Sequence, residues 1–439
     1  MRRKSLSAAL LATAMLTVAG CGGGGSSTGE AATAPSDPSK ASGTITVLTN
    51  RTDLVQNGTM KKYAAEFKKT HPKVTVKFEG ITDYEGEVKI RMNTDKYGDV
   101  LLIPSVIAKG DYPKFFAPLG DTKDMARLYR FTDKTNVRGK LYGIANFGTV
   151  NGLVYNKALW KKAGIDDWPT TPAQFLEDLK QIKVKTGVTP YYTNFKDGWP
   201  LSSPWTNSVG SVSCDANASD ALATSDKPWA KGSDLNVLDT MLYDVVHDKL
   251  SEKDPTTTNW ETSKTDLAKG KIGSMLLGSW AVNQMRDAAT KAGENPDDIG
   301  FMPVPVQKGG KSCATMLSDY QLAVNAHSEH KAAARAWIDW FTEKSGFAAK
   351  EGGVSAITSM SYPDVLKPFQ DNDVKLVERS EAKTEQVNAI DNASEIGLAK
   401  PDYRQKLIDI ARGAQKGSLQ DYFDELDKRW ADAAATAGN

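Results

Sequence analysis

The spacing of hydrophobic residues along the chain predicts an alternation of strands and helices. The runs TITVLT, KVTVKFEG and DVLLIPS are rich in β-branched and apolar residues and predict three strands. DYEGEVKIRMNTD predicts a helix before the third strand, and a helix between the first two is predicted by four residues at helical spacing: Met60, Tyr63, Ala64 and Phe67. Strands and helices alternating in this way predict an α/β layer with a parallel sheet.

A second series of the same kind follows. VNGLVYN, KIGSMLLG, IGFMPVP and DYQLAVN predict strands. A helix is predicted to begin at Thr171, because Thr-Pro-Ala-Gln has the pattern of a capping box with proline at the first helical position. HKAAARAWIDWFTEKSG and GSLQDYFDELDKRWADA predict two amphipathic helices, and Trp337 and Trp340 are expected in the core.

The N-terminus has the pattern of an export signal. MRRK is a basic region, and SLSAALLATAMLTVAG is a short apolar region that ends in small residues. Val18-Ala19-Gly20-Cys21 resembles a bacterial lipobox, which predicts that residues 1–20 are removed and that Cys21 is lipidated. Residues 21–42 are rich in Gly, Ser, Ala and Pro and predict a flexible tether. We therefore expect an exported protein, anchored by lipid to a bacterial membrane on its extracellular face or in the periplasm.

The two remaining cysteines, Cys214 and Cys313, are a candidate disulfide pair. Disulfides persist outside the cytosol, so an even pair in an exported protein favours a bridge. Two buried free thiols are the alternative, since cysteine is often simply a core residue.

Charge and motifs exclude several classes of function. The net charge is +1, and removal of residues 1–20 takes away three basic and no acidic residues, which leaves −2. Such a chain has no basic field for nucleic acid. Neither a G-x-S-x-G elbow nor a Walker loop occurs. His327 and His330 are spaced for a metal but lack further ligands nearby, so we expect no metal, no cofactor and a polar helix entry there.

The tryptophans carry the strongest indication of a ligand. Seven of the ten lie between residues 160 and 280. Trp199 and Trp205 fall in DGWPLSSPWTNS, which predicts a loop, Trp260 lies in polar surroundings, and Trp280 follows an apolar strand where a helix begins. A flat apolar face beside polar groups suits a sugar ring, whereas the plainer alternative for each tryptophan is a place in the core.

Three blocks of the chain resemble extracellular solute-binding proteins of the maltose-binding type. They are GKLYGIANFGTVNGLVYNKALWKKAGIDDWPTTPAQFLEDLKQIK, LAKGKIGSMLLGSWAVNQM, and IGFMPVP followed by DYQLAVNAHSEHKAAARAWIDWF. The resemblance runs from about Thr44 to Trp430 and covers nearly the whole mature chain.

The resemblance implies a periplasmic-binding-protein-like α/β fold, in which two lobes flank a hinged ligand cleft. The chain is then expected to cross between the lobes near Val150, Ser318 and Gly353. Residues 43–150 and 319–352 would form lobe 1, and residues 151–318 and 353–439 would form lobe 2. By this resemblance the protein is expected to be a monomer that delivers its ligand to the permease of an ABC importer, and not an enzyme.

The resemblance also implies ligand contacts. Trp280 matches the aromatic residue of the family's "GSW" motif. Asp319 and Tyr320 stand where many members carry two small residues, which makes both contact candidates. The other candidates come from the corresponding loops and from the tryptophan pattern: Asn50, Arg51, Asp53, Ser105, Asn146, Phe147, Asn151, Asn194, Asp197, Trp199, Trp205 and Trp260.

Several functions remain open at this point. The leading one is capture of a mono- or oligosaccharide for import. A polyamine- or iron-binding protein is an alternative, with Tyr191 and Tyr192 as a weak candidate pair of iron ligands. A secreted carbohydrate-active enzyme would need two carboxylates at a set separation across the cleft. A surface sensor or adhesin would act on a partner protein instead of a permease.

Overall fold

Two large β-sheets organise residues 31–437, the part of the chain that this computed structural model describes. The strands are β1 Gly43–Thr49, β2 Val74–Gly80, β3 Val100–Leu102, β4 Phe116–Ala117, β5 Gly120–Asp121, β6 Asn136–Val137, β7 Lys140–Leu141, β8 Ile144–Ala145, β9 Gly148–Asn156, β10 Thr189–Tyr191, β11 Ile272–Gly278, β12 Ile299–Met302, β13 Gln307–Lys308, β14 Lys311–Ser318, β15 Gln321–Asn325 and β16 Lys375–Glu378.

The first sheet has the order β2-β1-β3-β15-β4, with β8 also paired to β15. β1 runs parallel to β2 and β3, as the alternating pattern predicts, but β15 is antiparallel to β3 and arrives from far along the chain. The second sheet has the order β10-β11-β9-β14-β13, with β12 on β9 and β16 on β14. β5, β7 and β6 form a small third sheet.

Eighteen α-helices are present among the described residues and pack around these sheets. They are α1 Thr52–Gln56, α2 Thr59–Thr70, α3 Tyr84–Arg91, α4 Tyr112–Phe115, α5 Thr122–Met125, α6 Lys157–Lys162, α7 Pro172–Thr186, α8 Trp199–Thr206, α9 Ala218–Ala221, α10 Asp234–His247, α11 Trp260–Ala268, α12 Trp280–Ala292, α13 Lys331–Glu343, α14 Phe347–Lys350, α15 Lys367–Asp371, α16 Thr384–Ser394, α17 Asp402–Ala411 and α18 Leu419–Ala437.

Local sequence explains where these helices begin and which face they bury. The Thr171 side chain accepts a hydrogen bond of 3.1 Å from the Gln174 amide at the start of α7, and Gly187 ends that helix with a φ of 73°. Trp337 is buried on α13 as predicted, whereas Trp340 is only half-buried and packs edge-on against Phe67.

The chain passes between the two large sheets three times. Only residues 146–147 separate β8 from β9, and only residues 319–320 separate β14 from β15. The third passage follows α14 and leads to β16 in the second sheet. Gly148 and Val354 exchange main-chain hydrogen bonds of 2.6 and 2.7 Å, which join the first passage to the third. The predicted two-lobe α/β fold with three crossings is confirmed.

Two sequence predictions about local structure are wrong. The tether does not extend to residue 42, because Ala34 and Ala41 are buried and the Ala34 amide bonds to the Pro118 oxygen at 2.9 Å. The segment around Trp199 is not a loop but α8. Its Pro200 lies in the first turn, where the missing N–H costs nothing, and Pro204 is accommodated inside this short helix.

Cys214 and Cys313 form a disulfide with their Cα atoms 5.5 Å apart. This bridge fastens the segment after α8 to β14 of the second sheet. The predicted signal segment and the lipidation site Cys21 lie outside the described residues. Within residues 31–437, no helix is both long and apolar enough to cross a bilayer.

Candidate functional site

Three half-buried tryptophans meet at one corner of the second sheet, which we call the tryptophan corner: Trp199, Trp260 and Trp280. The Trp199 and Trp260 ring centroids are 5.0 Å apart, and the Trp280 ring lies 5.8 and 5.9 Å from them. The interplanar angles range from 42° to 80°, so the rings form a concave corner instead of a flat stack. Their partial exposure leaves indole surface available to a ligand.

The end of β11 sets the position of Trp280. The strand ends at Gly278, Ser279 exchanges hydrogen bonds with the main chain of Val150, and α12 begins at Trp280. A Cβ atom on Gly278 would lie 2.5 Å from the Trp280 Nε1 atom and 2.6 Å from the Thr149 hydroxyl. The indole therefore folds back over a glycine that has no room for a side chain.

Asp197 links the other two tryptophans. Its main-chain oxygen accepts a hydrogen bond of 2.9 Å from the Trp199 amide, and its carboxylate accepts one of 2.8 Å from the Trp260 amide. The Lys264 ammonium lies 5.3 Å from the Trp260 ring centroid. The corner thus combines apolar faces with an exposed carboxylate and a cation, which is the chemistry that sugar hydroxyls and C–H faces require.

Charged residues after β1 form a second part of the site. The Arg51 guanidinium bonds both carboxylate oxygens of Asp53, at 2.7 and 2.9 Å, and pairs with Glu351. The hydrogen bond from Arg51 outweighs burial and holds the pKa of Asp53 below its usual range. Asn50 lies beside this group and is half-buried.

Tyr320 and Ser105 share one carboxylate. Glu85 accepts a hydrogen bond of 2.8 Å from the Tyr320 hydroxyl and bonds of 2.8 and 3.1 Å from the Ser105 amide and hydroxyl. The Tyr320 ring also packs edge-on against Tyr84 at a centroid distance of 6.0 Å. Glu85 on α3 therefore holds together Ser105 and Tyr320, which are far apart in the sequence.

The crossing segments form the floor between the two sheets. Asn146 and Phe147 are 9% and 7% exposed, and the Phe147 oxygen accepts a hydrogen bond of 2.9 Å from the Asp319 amide. Burial raises the pKa of Asp319, against the lowering effect of Lys134. Among the described residues, no protein partner satisfies the Asn146 side-chain oxygen or the Thr149 hydroxyl. Buried polar atoms without a partner are uncommon, which marks this floor as a place where a small movement of the lobes would expose hydrogen-bonding capacity.

The two sides of the site touch near the tryptophan corner. The Asn283 amide on α12 donates to the Lys350 oxygen on α14 at 2.9 Å. A Cβ atom on Gly352 would lie 3.1 Å from the Ser279 oxygen, so the third crossing runs directly beside the start of α12.

Three predicted contacts belong to the interior instead of the ligand surface. Trp205 is 1% exposed and packs edge-on against Tyr191, because it lies on the core-facing side of α8. Asn194 is fully buried with its amide 3.2 Å from the Met275 sulfur. Asn151 is 2% exposed and donates to the Asn207 oxygen at 3.5 Å, so it supports the wall of the site.

Sequence reasoning missed several charged groups that border the site. Glu85 and Glu351 are paired with predicted contact residues, and Lys134 donates to the Asp319 oxygen at 3.2 Å. Nothing in their local sequence distinguishes them from other surface charges. Arg379 and Glu381, by contrast, follow directly after β16, and charged residues after a strand end could have drawn attention.

The two tyrosines considered as iron ligands, Tyr191 and Tyr192, lie in different surroundings. The Tyr191 hydroxyl accepts from the Leu276 amide inside the core, whereas the Tyr192 hydroxyl accepts from the Asn259 amide at the surface. The two phenols therefore do not face one site. Residues 31–437 contain no group of three or more potential metal-ligating side chains.

The chain is similar to known solute-binding proteins over most of its length. The family described as bacterial extracellular solute-binding protein matches residues 52–346. A binding protein of an ABC transporter from Bifidobacterium animalis subsp. lactis, solved in complex with mannobiose, has 32% sequence identity and a TM-score of 0.81, covering 91% of this chain and 96% of that one. A manno-oligosaccharide-specific protein from the same organism, solved with mannotriose, has 30% identity and a TM-score of 0.81 over the same shares.

A curated relative gives the same picture at lower identity. The multiple sugar-binding protein of Streptococcus mutans is 25% identical over 293 residues, which are 65% of this chain and 68% of that protein. With the family match covering more than half of the sequence, these comparisons assign the fold to a known class: the chain belongs to the bacterial extracellular solute-binding proteins.

Proposed function

We propose that this protein captures a manno-oligosaccharide in the cleft between its two lobes and delivers it to the membrane permease of an ABC importer. The tryptophan corner carries the proposal, because three tilted indoles beside Asp197 and Lys264 offer both apolar faces and hydrogen-bonding groups. We choose a mannose-based ligand over other sugars because two Bifidobacterium proteins with 30–32% identity to this chain were solved with mannobiose and mannotriose.

The proposal includes the lobe bounds that the sequence predicts. Residues 43–150 and 319–352 contain the strands of the first sheet, and residues 151–318 and 353–439 contain most of the second. Hinge closure of such lobes around a ligand is a known mode of motion. Lipidation at Cys21 would hold the monomer at the outer face of the membrane or in the periplasm, near the permease.

A thermal-shift screen followed by calorimetry tests the ligand class. A ligand that binds only the folded protein raises the unfolding free energy by RT ln(1 + [L]/Kd), so a bound sugar raises the melting temperature. We expect mannobiose and mannotriose to raise it, and spermidine and ferric citrate to leave it unchanged. A shift with diacetylchitobiose alone would move the assignment to another oligosaccharide, and a shift with spermidine alone would overturn it.

A second measurement separates binding from catalysis. Mannotriose incubated with the protein for many hours is expected to remain intact when the mixture is analysed by chromatography. Release of mannose would favour the carbohydrate-active enzyme that the sequence left open.

A further inference from the structure

Helix α8 connects the tryptophan corner with a pair of charged residues that follows β16. It begins at Trp199 in the tryptophan corner and ends at Thr206, and its eight residues span about 12 Å at 1.5 Å per residue. Asn207 caps its C-terminal end. The two ends of α8 are therefore about two sugar rings apart.

The helix is held rigidly from the core side. Arg404 is fully buried, pairs with Asp239 at 2.8 Å, and donates to the main-chain oxygens of Leu201 and Ser202 and to the Thr206 hydroxyl. A buried arginine that makes these hydrogen bonds through Nε and Nη1 fixes the position of α8, so the distance between its ends is set by the fold.

The far end of α8 carries a pair of opposite charges. Arg379 donates to the Asn207 side-chain oxygen and to the Glu381 carboxylate, each at 3.0 Å. Their side chains are 13% and 11% exposed. The Arg379 Nε atom is buried and has no hydrogen-bond partner among residues 31–437. One N–H of a well-oriented guanidinium thus remains unused.

This charged pair faces the opposite lobe. Burial alone would raise the pKa of Glu381, but the charges of Lys134 and Arg379 lower it below its usual range. The Lys134 ammonium donates a hydrogen bond to the main-chain oxygen of Asp319 in the crossing segment. Nearby, the Gly110 amide of the first lobe donates a hydrogen bond of 3.3 Å to the Glu385 carboxylate of the second. The charged pair at the C-terminal end of α8 therefore lies close to first-lobe residues.

We propose that Arg379 and Glu381 form a second ligand subsite at the C-terminal end of α8, about 12 Å along the helix from Trp199. This inference rests on the proposed function and extends it. One sugar ring packs in the tryptophan corner, and hydroxyls of another bond the Arg379 guanidinium and the Glu381 carboxylate. The protein consequently selects oligosaccharides long enough to reach both subsites, such as mannotriose, over monosaccharides.

Calorimetry with mannose, mannobiose and mannotriose on three variants tests the subsite. Arg379→Ala is expected to weaken mannotriose binding at least tenfold while changing mannose binding less than twofold. Glu381→Gln keeps the shape of the side chain and is expected to weaken mannotriose binding at least threefold. Arg429→Ala is the matched control, because Arg429 lies on α18 and donates to the Ser394 oxygen instead of facing the cleft. It is expected to bind all three sugars within twofold of the wild type.

The outcomes distinguish this inference from the function on which it rests. If the wild type binds mannotriose and both cleft variants bind it equally well, the second subsite is wrong and the proposed function stands. Equal losses for mannose and mannotriose in Arg379→Ala would also overturn it, since they would show a general structural role. If the wild type binds none of the three sugars, the proposed function fails and the subsite fails with it.

Discussion

The side-chain amide of Asn283 donates a hydrogen bond of 2.9 Å to the main-chain oxygen of Lys350, and this contact joins the two lobes beside the tryptophan corner. Asn283 lies one turn after Trp280 on α12, and Lys350 ends α14, which packs on the first-sheet helix α13. A ligand that lies on Trp280 is therefore within reach of residues from both lobes.

Replacement of Trp280 by alanine is expected to weaken mannotriose binding by about 1–3 kcal/mol, or roughly 5- to 150-fold, because a large apolar contact is lost. Calorimetry measures the affinity, and the melting temperature without ligand should change little because the ring is half-buried. Trp340→Ala is the control: its ring packs against Trp337 at 5.5 Å, away from the cleft. Trp340→Ala should lower the melting temperature and leave the affinity for mannotriose unchanged. If Trp340→Ala weakened binding and Trp280→Ala did not, the ligand site would lie elsewhere.

Gly278→Ala is expected to reduce the affinity for mannotriose, even though the substitution adds only a single carbon atom. The new Cβ would lie 2.5 Å from the Trp280 Nε1 atom, so the indole must move out of the corner. Titration of tryptophan fluorescence with mannotriose measures both the changed ring environment and the affinity. Gly110→Ala is the matched control, because a Cβ there has no neighbour within 4 Å. Affinity equal to the wild type in Gly278→Ala would show that the ring position does not matter for binding.

Loss of the disulfide is expected to destabilise the protein without abolishing ligand binding. Cys214 and Cys313 are 99 residues apart, and the chain-entropy model gives an upper value of about 4.7 kcal/mol for a loop of roughly this length. Urea unfolding with and without dithiothreitol measures the difference. The double variant Cys214→Ser/Cys313→Ser should already unfold at lower urea and should no longer respond to dithiothreitol.

The Asp178 carboxyl group is expected to lower the free energy of unfolding at neutral pH. Burial, with a smaller contribution from Glu177, raises the pKa of this carboxyl on α7 to about 6, and its Oδ2 atom has no hydrogen-bond partner among the described residues. Because the folded state holds the proton more tightly than the unfolded state, this group favours unfolding increasingly as the pH rises from about 4 through 6.

Asp178→Asn should therefore raise the melting temperature at pH 7–8, and the gain should shrink below pH 6 and disappear near pH 4. The exposed neighbour Glu177 gives the control Glu177→Gln, which should produce only a small change. A gain for Asp178→Asn that is the same at every pH would contradict the raised pKa.

Much of the fold could be predicted because it depends on local patterns. Helical spacing identified Met60, Tyr63 and Phe67 as buried residues of α2, and the capping residue Thr171 fixed where α7 begins. The apolar run before Gly278 predicted β11, and the bulky residue at its end proved to lie in the tryptophan corner.

The rest of the site could not be predicted because it depends on contacts between distant segments. Arg51 pairs with Glu351, 300 residues later, and Tyr320 bonds to Glu85, 235 residues earlier. No local pattern records such pairs. Trp205 was misplaced for a different reason, since two prolines suggested a loop where the core-anchored helix α8 forms.

The interleaved order of the first sheet limits how the protein can be assembled or divided. β15 lies between β3 and β4, yet it is made only after every strand from β9 to β14. During synthesis the first sheet cannot be completed until the chain has been made as far as Asn325. Because each lobe contains segments from both halves of the sequence, neither lobe can be expressed alone by cutting the chain once. An engineered sugar sensor built on this scaffold would have to receive its reporter in a surface loop, with both lobes kept on one uninterrupted polypeptide.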